Sequence, residues 1–134
     1  MTAPTLGSNR LSSTLALGGS AEDLATALLW RSGYHVVERN FRCGAGELDI
    51  VAYRGDPDSN RREARMLVFV EVRSRADDDH GDALAAIGAR KQRQVVRVAG
   101  HYLAARRPVY DEIRFDVVAI TGGVPVIVED AFRA

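Results

Sequence analysis

The sequence predicts an α/β fold with a central mixed β-sheet flanked by α-helices. Three observations carry this. Two segments repeat their apolar residues at helical spacing, and five shorter ones are rich in β-branched residues. Apolar residues make up 46% of the 134 positions and charged residues 27%, ordinary values for one domain with its own core. The single cysteine, Cys43, excludes a disulfide within the chain and a cysteine-based zinc cage. A reducing, cytoplasmic setting is therefore the simplest expectation. No run approaches the ~20 apolar residues of a membrane helix.

The elements follow in order. Residues 1–19 read as a flexible tail, and residues 20–134 as one domain. Leu15-Ala16-Leu17 is too short for the apolar core of a secretory signal. Ser20 with Asp23 has the form of a capping box. Leu24 and Leu28, flanked by Ala21 and Ala25, give a helix over 21–32 that stops at Gly33. Residues 34–42 form a strand, Cys43 to Gly46 a turn, and residues 47–54 a second strand. The polar stretch 55–65 is a loop. Residues 66–73 are the strongest strand, and the loop length favours antiparallel pairing with the one before. After an acidic loop at Asp77–Asp79, a helix is expected over 82–106, with Val95, Ala99, Tyr102 and Leu103 on one side and Pro108 as its stop. Strands over 113–120 and 124–129, joined by a Thr-Gly-Gly turn, complete the chain. Trp30 and Tyr102 are expected in the core or at an interface.

Eighteen basic residues balance eighteen acidic ones. This argues against a uniformly basic coat for nucleic acid, which needs a pI above about 9. It leaves room for charges sorted in space. Seventeen of the basic residues are arginine and Lys91 alone is lysine, a bias that makes lysine-to-arginine drift easy at any one position.

Alternation of side chains along a strand places Glu47, Asp49, Val51 and Tyr53 on one face, and Leu67, Phe69, Glu71 and Arg73 on another. In the right register Asp49, Glu71 and Arg73 sit together. Carboxylates facing each other across a ladder repel and raise each other's pKa, unless a cation lies between them. A divalent cation is one solution. Simple pairing with Arg54, Arg73 or Arg75 is the other. Residues 90–107 are basic, and Arg90, Arg93, Arg97 and His101 form one helical stripe, able to track phosphates or merely to face water. Lys91 falls off that stripe, at the margin of the apolar one. There it either contacts a phosphate or carboxylate, or snorkels to water. His35, His80 and His101 lack metal-ligand spacing, and Cys43 is incidental. Asp116 reads as an ion-pair partner of Arg114.

Gly-Glu-Leu-Asp at 46–49 followed by Val-Phe-Val-Glu-Val-Arg-Ser-Arg at 68–75 resembles the YraN-like family of small bacterial proteins. The likeness runs from Ala21 to Ile120 through Gly33-Tyr34, Arg39-Asn40, Gly81, Lys91 and Arg114 to Val118. That family is similar to the restriction-endonuclease-like, or PD-(D/E)xK, nucleases, which include Holliday-junction resolvases. The resemblance implies that fold, and Mg²⁺- or Mn²⁺-dependent hydrolysis of phosphodiester bonds in DNA, branched or damaged. By this likeness Asp49 and Glu71 hold the metal with help from Glu22, while Glu47 matches the segment without a defined role. Arg73 stands where the motif has lysine and contacts the phosphate, assisted by Arg75 and by Lys91, a stand-in for that lysine. Arg90, Arg93 and Arg97 position the nucleic-acid backbone. A homodimer follows by analogy with the resolvases. Arg73 is the departure: arginine stabilises charge but does not lose its proton, so it cannot act as a base. A non-catalytic nucleic-acid-binding module and a protein–protein adaptor are the alternatives.

Overall fold

The computed structural model describes residues 20–58, 64–75 and 87–134. The expected tail, the Asp77–Asp79 loop, Gly81 and residues 82–86 of the expected helix lie outside them. Among the described residues there are two helices and five strands: α1 (Ser20–Arg31), β1 (Tyr34–Cys43), β2 (Gly46–Arg54), β3 (Met66–Arg75), α2 (Ala89–Arg106), β4 (Glu112–Thr121) and β5 (Val124–Phe132). The strands form one sheet in the order β1-β2-β3-β4-β5. Pairing is antiparallel except between β3 and β4. A parallel pair needs a long crossover, and α2 lies within it.

Each helix covers one face. Ala25 and Leu29 of α1 pack on Ile50, Ala52, Val68, Val70, Val118 and Ile120. Val95, Val98, Ala99 and Tyr102 of α2 pack on the opposite face, against Val51, Leu67, Phe69, Phe115 and Val117. Central β3 is thus buried on both faces, which is why its first five residues are uniformly apolar. Tyr102 meets the rings of Phe41 and Phe69 edge-on, at 5.2 and 5.7 Å.

Three local expectations are corrected. Ile87 and Gly88 lie outside helix α2, which begins at Ala89: Ile87 is buried in the core and Gly88 is extended (φ −74°, ψ 170°). The Gly88 carbonyl accepts the Gln92 N–H at 3.0 Å. Cys43 ends β1 instead of opening the turn. Strand β5 continues past 129 to Phe132: Asp130 takes a left-handed turn (φ 54°) that lets Phe132 stack on Phe115 at 5.1 Å. Of the two aromatics expected in the core or at an interface, Tyr102 is in the core and Trp30 is on the surface, half exposed at 49% with its ring edge against His35.

The expected Arg114–Asp116 pair is the centre of a buried network. Asp116, with no exposed surface, accepts hydrogen bonds from Tyr34 Oη (2.7 Å), Arg114 Nε (2.8 Å) and Nη2 (2.8 Å), and the Asp130 amide (2.9 Å). It therefore ties β1, β4 and β5 through one carboxylate. Asp116→Ala strands the Arg114 charge and the Tyr34 hydroxyl, and is expected to cost about 3–5 kcal/mol, against about 1 kcal/mol for Tyr34→Phe. Urea unfolding measures both; equal losses would contradict the central place of the carboxylate.

Candidate functional site

The site forms where β2 and β3 part. Their last backbone pair is Ile50 with Val70, which sets Asp49 opposite Glu71 at the next step. There the Val72 amide donates instead to the Asp49 carboxylate, at 2.8 Å. Just upstream, Gly46 has φ +141°, and a Cβ at that position would stand 2.8 Å from Gln94 Nε2 and 3.2 Å from Val98 Cγ2. Glycine is required for the β1–β2 turn to press this closely on α2. Gln94 Nε2 also donates to the Ala45 carbonyl at 3.4 Å, fixing the start of α2 beside the turn.

The carboxylates fall into two sets. Oxygens of Glu22, Glu47 and Asp49 come within 4.8 Å of one another. Glu22 arrives from the first turn of α1, Glu47 and Asp49 from β2. Glu71 instead faces cations: its side chain is 5% exposed, with Lys91 Nζ at 3.5 Å and Arg73 Nη1 at 3.7 Å. Lys91 also donates to Gln94 Oε1 at 3.4 Å. Arg39 Nη2 lies 2.9 Å from Asp23 and 3.6 Å from Glu22, so Asp23 is engaged by β1. Arg42 pairs loosely with Glu47 at 3.4 Å, both side chains open to water.

Electrostatics follow from this crowding. Burial first, and the neighbouring Asp49 second, push the Glu71 carboxyl up to about 7, against the pull of Lys91 and Arg73. Burial likewise raises Asp49, aided by Glu47 and opposed by the Val72 amide and Lys91. Glu22 is raised by burial and by Asp49, with Asn40 and Arg39 pulling the other way. Glu22, Glu47 and Asp49 present three carboxylate oxygens to one place, the donor chemistry that a hard divalent cation takes.

The sequence-predicted residues are distributed as follows. Asp49, Glu71, Arg73 and Lys91 come together, and Glu22 joins at Asp49. Glu47 belongs to the three-carboxylate set, in which Glu71 has no part. Lys91 lies at the edge of the apolar stripe, one turn before Val95 and Val98, and its ammonium turns to the sheet and the Glu71 carboxylate. The side chain of Arg75 is outside the described residues. Arg90, Arg93, Arg97 and His101 are all exposed, as a stripe. Arg93 and Arg97 line a cleft of about 410 Å³ with Gln92, Val96 and Arg133. Arg133 and Arg39 escaped sequence reasoning as site residues. For Arg39 the available signal was its place on the strand antiparallel to β2, opposite Ile50. Arg133 carried no signal.

The model of the Uncharacterised protein family UPF0102 matches residues 21–120. A UPF0102 protein of Syntrophotalea carbinolica is 46% identical over 106 residues, which are 79% of this chain and 79% of that one. One from Paracidovorax citrulli is 41% identical over 131 residues, 96% of this chain and 90% of the relative. One from Cupriavidus metallidurans is 46% identical over 114 residues, covering 84% and 77%. The protein whose β2 and β3 hold this carboxylate cluster belongs to the UPF0102 family, the YraN-like proteins that its Gly46–Asp49 and Val68–Arg75 segments resemble.

Proposed function

We propose that this protein is a divalent-metal-dependent endonuclease that hydrolyses phosphodiester bonds in DNA, with branched or damaged DNA as the substrate class. The convergence of Glu22, Glu47 and Asp49 within 4.8 Å, beside a buried Glu71 that gathers Lys91 and Arg73, carries the reading. Acids for a metal and cations for a phosphate then lie side by side. When bound, Mg²⁺ or Mn²⁺ supplies Lewis acidity and neutralises charge on the phosphoryl oxygens. Glu22, Glu47 and Asp49 hold it. Glu71 keeps Lys91 and Arg73 at the edge of the cluster, where their charge opposes the negative charge that grows on the phosphate. Arg90, Arg93 and Arg97 contact flanking phosphates without reading bases. In the reaction a water oxygen bonds to phosphorus and one P–O ester bond breaks. The departing oxygen takes one water proton to become an alcohol, and the other proton passes to solvent. The restriction-endonuclease-like fold and a homodimer belong to the same reading.

Arg73, at the place of the motif's lysine, favours a second reading: a nucleic-acid-binding module without hydrolysis. Incubation with Mg²⁺ or Mn²⁺ and single-stranded, duplex and four-way-junction DNA separates the two. Cleavage is expected, and Asp49→Ala is expected to lower it by at least about 100-fold. Metal-independent, salt-sensitive binding with no cleavage would support the module instead.

The raised Glu71 carboxyl gives a pH signature. A carboxyl whose folded pKa lies above its unfolded value stabilises most at low pH, and that contribution is lost as pH rises through about 7. Without metal, the Tm is expected to fall between pH 5.5 and pH 8, and Glu71→Gln to flatten that fall. Binding of Mn²⁺ requires ionised carboxylates, so the Tm rise it produces is expected to be larger at pH 8 than at pH 5.5. Differential scanning fluorimetry reads both; a Mn²⁺ shift that survives Asp49→Ala would remove the metal assignment.

A further inference from the structure

The chain has seventeen arginines and one lysine. One of those arginines, Arg73, and the lone lysine, Lys91, both lie in the carboxylate site beside Glu71. The placement of the lysine is specific. Lys91 sits on the sheet-facing line of α2 that continues through Val95, Val98 and Tyr102, one turn before the helix becomes buried. Its side chain is 35% exposed, so it faces the carboxylates yet remains open to a ligand. An ammonium has three donors on one compact centre. Among the described residues it meets two acceptors, Glu71 Oε2 at 3.5 Å and Gln94 Oε1 at 3.4 Å. A phosphate oxygen is the natural third. The planar fork of arginine is longer and presents its donors in a fixed plane, so it does not reproduce that arrangement.

We propose that Lys91 is the catalytic cation that touches the scissile phosphate, and that Arg73 acts through Glu71 as a positioning residue. This rests on the hydrolytic reading above and deepens it by dividing the two cations. Gln94 joins Arg73 as a positioning group, since it holds Lys91 on one side and the Ala45 carbonyl on the other.

The single lysine makes the test direct. Sulfosuccinimidyl acetate acylates only Lys91 and the α-amino group, and peptide mass spectrometry reports each separately. A four-way-junction DNA with Ca²⁺ is expected to slow acylation of Lys91 and leave the α-amino group unchanged. Lys91→Arg keeps the charge beside Glu71, so Tm and DNA binding are expected to hold while cleavage falls about 100-fold. The exchanged double variant Arg73→Lys/Lys91→Arg is expected to stay as slow. Acylation indifferent to DNA, full cleavage by Lys91→Arg, or recovery in the exchanged variant would each overturn the proposal. Protection of Lys91 in a wild-type protein that cleaves nothing would reject the hydrolytic reading and, with it, the catalytic role, leaving a phosphate contact alone. Cleavage that Lys91→Arg leaves intact would reject the role and spare the reading.

Discussion

Asp49 ends the pairing of β2 with β3 by offering its own carboxylate to the Val72 amide. The geometry of the site depends on that substitution. A ladder continued past Ile50 and Val70 would hold Asp49 and Glu71 face to face with backbone bonds on either side. The Asp49 carboxylate instead satisfies the amide itself and stays at the gap. Strand β3 stays held along its other edge, where β4 pairs with it in parallel from Met66 to Arg75. Glu71 and Arg73 are therefore held by β4 while β2 swings Glu47 and Asp49 toward α1. One side-chain-to-backbone bond thus sets a trio gathered around Asp49 beside a Glu71 that lies between Lys91 and Arg73.

Among the described residues two carboxylates are deeply buried, and they contrast sharply. Asp116 receives four hydrogen bonds, all at 2.9 Å or less, two of them from one guanidinium. Glu71 meets its cations only at 3.5 and 3.7 Å, both of them more than one-third exposed, and shares a side-chain hydrogen bond with Asp49. A saturated network makes a rigid joint, and Asp116 clamps three strands. A carboxylate with loose cations and a raised pKa stores unfavourable electrostatics that a ligand can relieve. The stability of the fold rests on the aromatic layer under α2 and on the Asp116 joint, which leaves the carboxylate gap free to be destabilising.

Most of the architecture was legible because burial imposes period. β3 reads as an unbroken apolar run since both its faces are covered, and Asp49 and Glu71 stand out as breaks in apolar strands. Ile87 and Gly88 were not legible as lying outside α2, because Ile87 fits helical spacing but is buried in the core ahead of the helix. Lys91 was legible as the lone lysine at the margin of the apolar stripe, and the fully buried Val98 draws that stripe toward it. Arg39 was hidden for a different reason. Its bond to Asp23 joins a strand to a helix turn sixteen residues away, and no local pattern encodes that distance. The pairing that sets Ile50 against Val70 likewise had to be seen before Glu47 could be grouped with Glu22.

Net neutrality does not oppose a polyanionic ligand here. At physiological ionic strength charges screen one another beyond about 8 Å, so an approaching phosphate responds to the local surface and not to the sum over the chain. The exposed face of α2 offers Arg90, Arg93 and Arg97, and the first turn of that helix contains no acid. The acids that balance them are spent elsewhere: Glu38 on Arg106, Asp116 and Glu129 on Arg114, Asp23 on Arg39. What remains is a basic helix face running from the mouth of a carboxylate gap, with Lys91 at the junction. That sorting gives a neutral chain a locally basic helix face, and it follows from which acids the fold takes as structural partners.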